Sequence, residues 1–223
     1  MFIEEEVKED KRPFMAVCAP GREFVLKYFD RAFDCRITDN PDVSDSSEAV
    51  VVMGADTDMT DRMLDFVATC KARDINVTVL KVPYVIGTGM DGLMLRMARG
   101  ISRGFHAAIK GNETRWSVIH ATDVAGVALC VARSGKKNAC FTVSAPPIGV
   151  SDLQEALSFR IKNKRLGKVS PRWAKIIYGS ELYALLNTDR IVDTTDFEAA
   201  FPEYSFSNPA EYLKTHVYDD ESL

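Results

Sequence analysis

The chain has 223 residues, 46% of them apolar, and a net charge of −4 at neutral pH, with an isoelectric point near 5.5. That is room for one domain, or one domain with a small lobe, and enough apolar content for a sizeable core. The acidic balance excludes a general nucleic-acid surface, which carries a basic excess, and no apolar run approaches the roughly 18 residues that span a bilayer. Neither nucleic acid nor membrane is expected as a partner.

Residues 1–12 are charged, lack the apolar stretch of a signal peptide, and read as a solvated lead-in. Phe14 to Cys18 is the first predicted strand. A helix is predicted from Arg22 to Phe33, with Phe24, Val25, Tyr28, Phe29 and Ala32 on one face. Cys35 to Thr38 is a short strand and Asn40 to Ser47 a polar loop. Ala49 to Met53 is a continuous apolar, β-branched run, the pattern of a strand buried on both faces of a parallel sheet. Met59 to Ala72 reads as a helix with Met63, Phe66, Val67 and Cys70 inward. Val77 to Val82 is the next strand and Leu93 to Ile101 the next helix. Trp116 to His120 reads as a strand, Asp123 to Ala132 as an Ala/Val-rich helix, and Cys140 to Val143 as a strand. Ser151 and Gln154 spell a capping box opening a helix to Ile161. Pro171 to Ile177 and Glu181 to Leu186 are shorter helices, and a last one begins after Pro209.

This alternation of strand and helix predicts an α/β fold with a mainly parallel sheet. The stretch Ala145-Pro146-Pro147-Ile148-Gly149 marks a break, dividing the chain into the lead-in, a sheet domain over 13–147 and a C-terminal region over 148–223. The cysteines, Cys18, Cys35, Cys70, Cys130 and Cys140, are odd in number, widely spaced and without a Cys-x-x-Cys pair. They read as small buried hydrophobes in a reducing compartment, and point to the cytoplasm. His106, His120 and His216 are scattered, so no metal site is expected. No Gly-x-Ser-x-Gly elbow supports a hydrolase.

Four segments carry a further signal. Val82-Pro83-Tyr84-Val85-Ile86-Gly87-Thr88-Gly89 is a strand running through a proline into a glycine loop. Arg115-Trp116-Ser117-Val118-Ile119-His120-Ala121-Thr122-Asp123-Val124-Ala125 is a strand turning into a helix. Phe141-Thr142-Val143 precedes the helix at Ser151, and Arg190-Ile191-Val192-Asp193-Thr194-Thr195-Asp196-Phe197 comes late in the chain. In this order and spacing they resemble the extended short-chain dehydrogenase/reductase family, the NAD-dependent epimerase/dehydratase group. The resemblance implies a trimmed Rossmann-like parallel sheet with a small, mostly helical C-terminal lobe, NAD or NADP as cofactor, and a nucleotide or sugar nucleotide as ligand.

The departures from that pattern bear on function. No Tyr in the chain has a Lys four residues later, so the family's acid/base Tyr and the Lys that depresses its pKa are both missing. Where the family carries Gly-x-x-Gly-x-x-Gly after the first strand, this chain has Cys18-Ala19-Pro20-Gly21-Arg22-Glu23-Phe24, with one glycine and a proline that lacks an N–H. Only ten residues separate Thr38 from the strand at Ala49, where the family has more elements.

The candidate cofactor residues are Gly21 and Arg22, at a helix start that attracts an anion; Asp39, either a ribose acceptor or the start of the turn Asp39-Asn40-Pro41; and Pro83 and Tyr84, where the resemblance puts the nicotinamide, Tyr84 otherwise simply packing. Arg115 is the candidate for a sugar-nucleotide diphosphate; the other reading is a surface arginine stacked on Trp116. Gly87-x-Gly89-x-x-Gly92 matches a dinucleotide fingerprint literally, or forms a loop rimming the cleft. His120 is expected to hydrogen-bond the helix start that follows it, and Asp123 to cap that helix or stand as an acid in its first turn. The basic stretch from Lys162 to Lys168 is expected to be a solvated helix end.

The leading expectation is a degenerate relative of these enzymes that binds a nucleotide or sugar nucleotide without the Tyr/Lys chemistry. An active NAD(P)-dependent epimerase or reductase using Tyr84 or His120 as acid/base is the first alternative. A non-catalytic subunit, pairing with itself or with a full-length epimerase, is the second.

Overall fold

The computed structural model describes residues 14–19, 22–29, 33–37, 48–90, 92–162 and 164–215. In chain order, β1 (Phe14–Cys18) leads to a short 3-10 helix (Glu23–Tyr28), β2 (Phe33–Ile37), β3 (Glu48–Gly54), α1 (Asp61–Ala72), β4 (Asn76–Val82), β5 (Tyr84–Ile86) and α2 (Gly92–Arg103). Then come β6 (Ala108–Ile109), β7 (Arg115–Trp116), β8 (Val118–His120), α3 (Ala121–Arg133), β9 (Cys140–Thr142), β10 (Ile148–Gly149) and α4 (Val150–Lys162). The chain continues through β11 (Lys168–Val169), α5 (Pro171–Leu186), α6 (Thr195–Ala200) and α7 (Pro209–Thr215).

Five strands form an all-parallel sheet in the order β2-β1-β3-β4-β9. The β-branched run in β3 explains its central place, because alternate residues of a strand point to opposite faces. Ala16, Cys18, Val50, Val52, Leu80 and Val82 point to one face, where α3 and the 3-10 helix cover them. Met15, Val17, Ala49, Val51, Val77 and Val79 point to the other, under Met63, Phe66 and Cys70 of α1. Both faces are closed, as a parallel sheet requires. The α/β, Rossmann-like expectation holds.

A second core lies beside the sheet. Met94, Met97 and Ile101 of α2, Leu153 and Leu157 of α4, Ala174 and Leu186 of α5 and Leu213 of α7 pack around Trp116 and Val118. Its strands are minor pairs: β5 runs parallel to β8, β10 antiparallel to β7, and β11 parallel to β6. Among the described residues no helix is long and apolar enough to cross a membrane.

Several expectations are corrected. The helix from Arg22 to Phe33 is only the six-residue 3-10 turn, because Phe29 leaves it in an extended conformation (φ −74°, ψ 127°) and drops into the core. Burial of one aromatic outweighs helix propensity here. The capping box at Ser151 does not form. The helix already begins at Val150, whose N–H donates to Thr114 O (2.8 Å), and Gln154 is fully buried against His106 instead of reaching back. The strand Trp116 to His120 breaks at Ser117, which turns to pair with a late segment. Cys18 and Cys70 are buried, but Cys130 is half-buried and Cys140 is exposed, because β9 is an edge strand.

Candidate functional site

The sheet order places a topological switch beside β1. The chain leaves β1 for β2 on one side and returns to β3 on the other. In open α/β sheets the crevice at the carboxyl ends of the strands, at such a switch, is where ligands bind. A cleft of about 530 Å³ lies there, within the usual range for a small-molecule site. Arg22 comes from the end of β1, Gly54 to Thr57 from the end of β3, and Val82 to Tyr84 from the end of β4. The segment Thr188 to Val192 closes the fourth wall.

That last wall is stitched on by backbone. Ser117 N–H donates to Arg190 O (2.7 Å) and Arg190 N–H donates to Arg115 O (3.0 Å). Ser117 Oγ accepts from Val192 N–H (3.1 Å). The buried Trp116 indole donates to Thr188 O (3.0 Å).

Tyr84 is the aromatic floor. Its ring lies 5.0 Å from that of Trp116, and the Arg190 guanidinium carbon sits 5.9 Å from its centroid. Arg22 Nη2 donates to Pro83 O (3.2 Å) on the other side. Burial pushes the Tyr84 phenol above its ordinary value, with the Arg190 charge opposing. Arg190 Nε is buried and has no hydrogen-bond partner within the described protein. A buried donor left unmade costs about 1–3 kcal/mol. Asp56 and Asp189 bring carboxylates to the walls, but Asp189 Oδ1 already accepts Arg115 N–H (2.8 Å).

Of the residues singled out in the sequence, Arg22, Pro83 and Tyr84 converge on this cleft. Gly21 and Asp39 lie outside the described residues. Arg115 does not join them. It is exposed, donates from Nη2 to Pro147 O (2.6 Å), and lines a neighbouring cleft with Glu113, Asp152, Phe206 and Asn208. The ring partner of Trp116 is Tyr84, so Trp116 is not a platform for Arg115. Arg190, Asp56 and Trp116 escaped the sequence reading as site residues. Arg190 opens one of the four segments that carry the resemblance, and that was the available signal.

The other singled-out residues have structural roles. His120 caps α3, its Nδ1 accepting from Thr122 N–H (3.1 Å), and it packs between the rings of Tyr28 and Tyr212. Asp123 sits in the first turn of α3 but accepts from Ser207 N–H and Ser207 Oγ (3.1 Å each), tying down the C-terminal segment. Of the glycines in Gly87-x-Gly89-x-x-Gly92, Gly87 and Gly89 let the loop lie against the 3-10 helix. A Cβ at Gly87 (φ 154°) would stand 2.8 Å from Tyr28 Oη, and one at Gly89 (φ 86°) 3.1 Å from Phe24 Cβ. Thr88 N–H donates to the same Tyr28 hydroxyl. Protein side chains therefore occupy that side of the loop.

The residues present fit a dinucleotide in part. Two guanidiniums and an aromatic floor suit phosphate and ring. The backbone cradle that three glycines provide is absent from the sequence, so a phosphate in this cleft would be met by side chains.

No protein-family model matches the sequence, and comparison with curated proteins finds no match. Among solved structures, the chain is similar to the UDP-N-acetylglucosamine 4-epimerase of Bacillus cereus, with TM-score 0.58 and 11% identity over 91% of this chain and 97% of that one. It is similar to RMD of Pseudomonas aeruginosa complexed with NADPH (TM-score 0.52, 14% identity, 77% of this chain and 65% of that one). It is also similar to the Bordetella bronchiseptica enzyme WbmF in complex with NAD+ and UDP (TM-score 0.50, 11% identity, 76% and 57%). The chain thus spans less than two thirds of the last two. At these identities the likeness is one of fold: the chain has the Rossmann-like fold of the epimerase-type extended short-chain dehydrogenases/reductases.

Proposed function

We propose that the chain binds a nucleotide, either NAD(P) or a sugar nucleotide, in the cleft over Tyr84, and that it does so without Tyr/Lys hydride chemistry. The observation that carries this reading is the pair Arg22 and Arg190 flanking Tyr84 at the switch point, with the Arg190 Nε donor unmet by protein. Forked guanidiniums suit phosphate oxygens, and the tyrosine ring suits a flat base or nicotinamide. A nicotinamide is a hydride carrier, and here it would be held without the Tyr/Lys acid/base pair that such transfer needs. The chain's own part is to hold the phosphate with Arg22 and Arg190 and to stack the ring.

Two observations weigh against the acid/base alternative. Tyr84 ionises above its ordinary range, its burial outweighing Arg190, whereas proton transfer in this chemistry needs a phenol pulled down toward neutrality. Among the described residues no Lys or His lines the cleft. His120 is fully buried with Nδ1 committed to the start of α3.

Thermal-shift titration with NAD, NADH, NADP, NADPH and UDP- and dTDP-sugars tests the reading. A ligand at about 100 times its Kd stabilises the fold by roughly 2.7 kcal/mol, a rise of several degrees for a domain of this size. The expected result is a shift with at least one of these that Arg190→Gln abolishes. No shift with any ligand would refute the binding reading. Measurable hydride exchange with a sugar nucleotide would refute the absence of chemistry.

A further inference from the structure

Outside the cleft lining, one stretch contradicts the chain's acidic balance. From Ala156 to Ser180 there is no Asp or Glu, while seven Lys or Arg occur between Arg160 and Lys175; the chain as a whole carries −4. Lys162, Lys164, Arg165 and Lys168 are exposed, but only Lys162 belongs to the expected helix end, because α4 stops there and Lys168 lies in β11; these four are only the start of the stretch.

The first half of α5, before its break at Gly179, presents the stretch on an amphipathic helix. Ala174 is buried in the second core, and Tyr178 Oη is bonded to both the N–H and the carbonyl of Ala107. Those residues fix the inward face. Trp173, Ile176 and Ile177 therefore point outward, at 63%, 71% and 46% exposure. Their i, i+3, i+4 spacing puts them on one strip, and Arg172 and Lys175 flank it.

Phe105, at 76% exposure, stands two residues from the Tyr178 anchor. Before it come Arg103, in the last turn of α2, and Gly104, beside which the Lys162 Nζ lies. Exposed aromatic and branched aliphatic side chains edged by Lys and Arg, on a helix whose other face is held by the core, are the pattern of a helix lying in a lipid interface.

We propose that this face, formed by Phe105, Trp173, Ile176 and Ile177 with their basic border, docks on an anionic lipid surface. Charge complementarity selects that occupant. In a symmetric pair of this chain the same patch would face itself, setting Arg172 and Lys175 against their own copies. Nucleic acid would satisfy the charge but leave Ile176 and Ile177 without a use, since bases stack on aromatic rings and guanidinium planes. An anionic membrane uses both: the charges find lipid phosphates and carboxylates, and the apolar strip enters the acyl boundary. Such docking is peripheral and requires no spanning helix. It revises the expectation of no membrane partner and is independent of the nucleotide reading.

The test is co-sedimentation of the full chain with phosphatidylcholine vesicles containing about one third phosphatidylserine, against phosphatidylcholine alone. The chain has two tryptophans, and Trp116 is already fully buried. A blue shift of emission on binding therefore reports Trp173. The expected result is binding to the anionic vesicles only, with a blue shift, and release as salt shortens the screening length. Each basic side chain near such a surface contributes a roughly fivefold factor. Arg172→Gln with Lys175→Gln should weaken binding by about 10- to 30-fold, and Trp173→Ser with Ile176→Ser should abolish it with an unchanged circular dichroism spectrum. Failure to bind anionic vesicles at low salt would overturn the proposal, as would binding indifferent to the serine pair. Two further results would overturn it in favour of another occupant: tight binding of a DNA duplex untouched by the serine pair, or a micromolar dimer that the serine pair dissolves.

Discussion

His106 makes the stability of the second core depend on pH. The ring is 9% exposed, its Nε2 meets the Gln154 amide at 2.8 Å, and it lies against the Tyr178 ring at 4.9 Å. A Cβ at Gly100 would come 3.3 Å from Nδ1, so α2 closes the remaining side. Burial alone lowers its pKa from 6.5 to about 4. A histidine with a depressed folded pKa binds its proton more readily when unfolded, so stability falls as pH drops from about 6.5 to about 4 and is flat below. With one pKa unit worth 1.36 kcal/mol, the loss is about 2 kcal/mol at pH 5 and on the order of 3 kcal/mol once the transition is complete. Urea unfolding of the wild type and of His106→Gln at pH 7.5 and pH 5.0 reads this directly. The wild type should lose about 2 kcal/mol more than the variant between the two conditions. Asp123, whose carboxyl is raised by burial, has the opposite sign and cancels because both proteins carry it. Equal losses in the two proteins would refute the argument that a neutral, desolvated imidazole holds this junction.

Two other perturbations probe what surrounds the cleft. Phe197 is almost fully buried and meets Phe141, Phe201, Tyr204 and Phe206 at centroid distances from 5.1 to 5.9 Å. Phe197→Ala should cost about 3–5 kcal/mol, a fall in Tm of roughly 6–20 °C by calorimetry; a change of a degree or two would mean that the aromatic cluster is not cooperative with the sheet. Gly87→Ala adds a Cβ that meets the Tyr28 hydroxyl and Ala121 at a backbone angle strained for L-residues. It should destabilise by about 1–3 kcal/mol and open the loop of residues 87–90 to limited proteolysis, and an unchanged digestion rate would contradict the packing of that loop on the 3-10 helix.

The sheet was legible because its signal is local. Ala49 to Met53 has the apolar, β-branched pattern of a strand closed on both faces, and His120 preceding an Ala/Val-rich run announced a capped helix. The resemblance of four loose segments was enough for the fold. What stayed hidden depends on partners distant in sequence. Gln154 read as a capping residue because its actual neighbour, His106, is 48 positions away. Gly87-x-Gly89-x-x-Gly92 matched a phosphate loop in spelling and in its place between a strand and a helix, but the same freedom of φ also serves close approach to Tyr28 and Phe24. Arg190 entered the cleft only through the pairing of its backbone with residues 115 and 117, which no spacing rule encodes. Conversely, Arg115 carried the best motif and faces a different cleft.

The break in α5 has a consequence in handedness. Gly179 has φ 71° and ψ 171°, a region that is essentially closed to L-residues yet is the mirror image of ordinary extended backbone. Nothing crowds the place where a Cβ would stand. The penalty for Gly179→Ala is therefore one of chirality and not of space, and a D-alanine introduced by chemical ligation would sit there without strain and restrict the unfolded chain besides. The junction between the outward-facing half of α5 and the half that leads to Arg190 is fixed by which mirror form of amino acid is supplied, so two proteins with identical atoms and opposite configuration at one carbon should differ in stability.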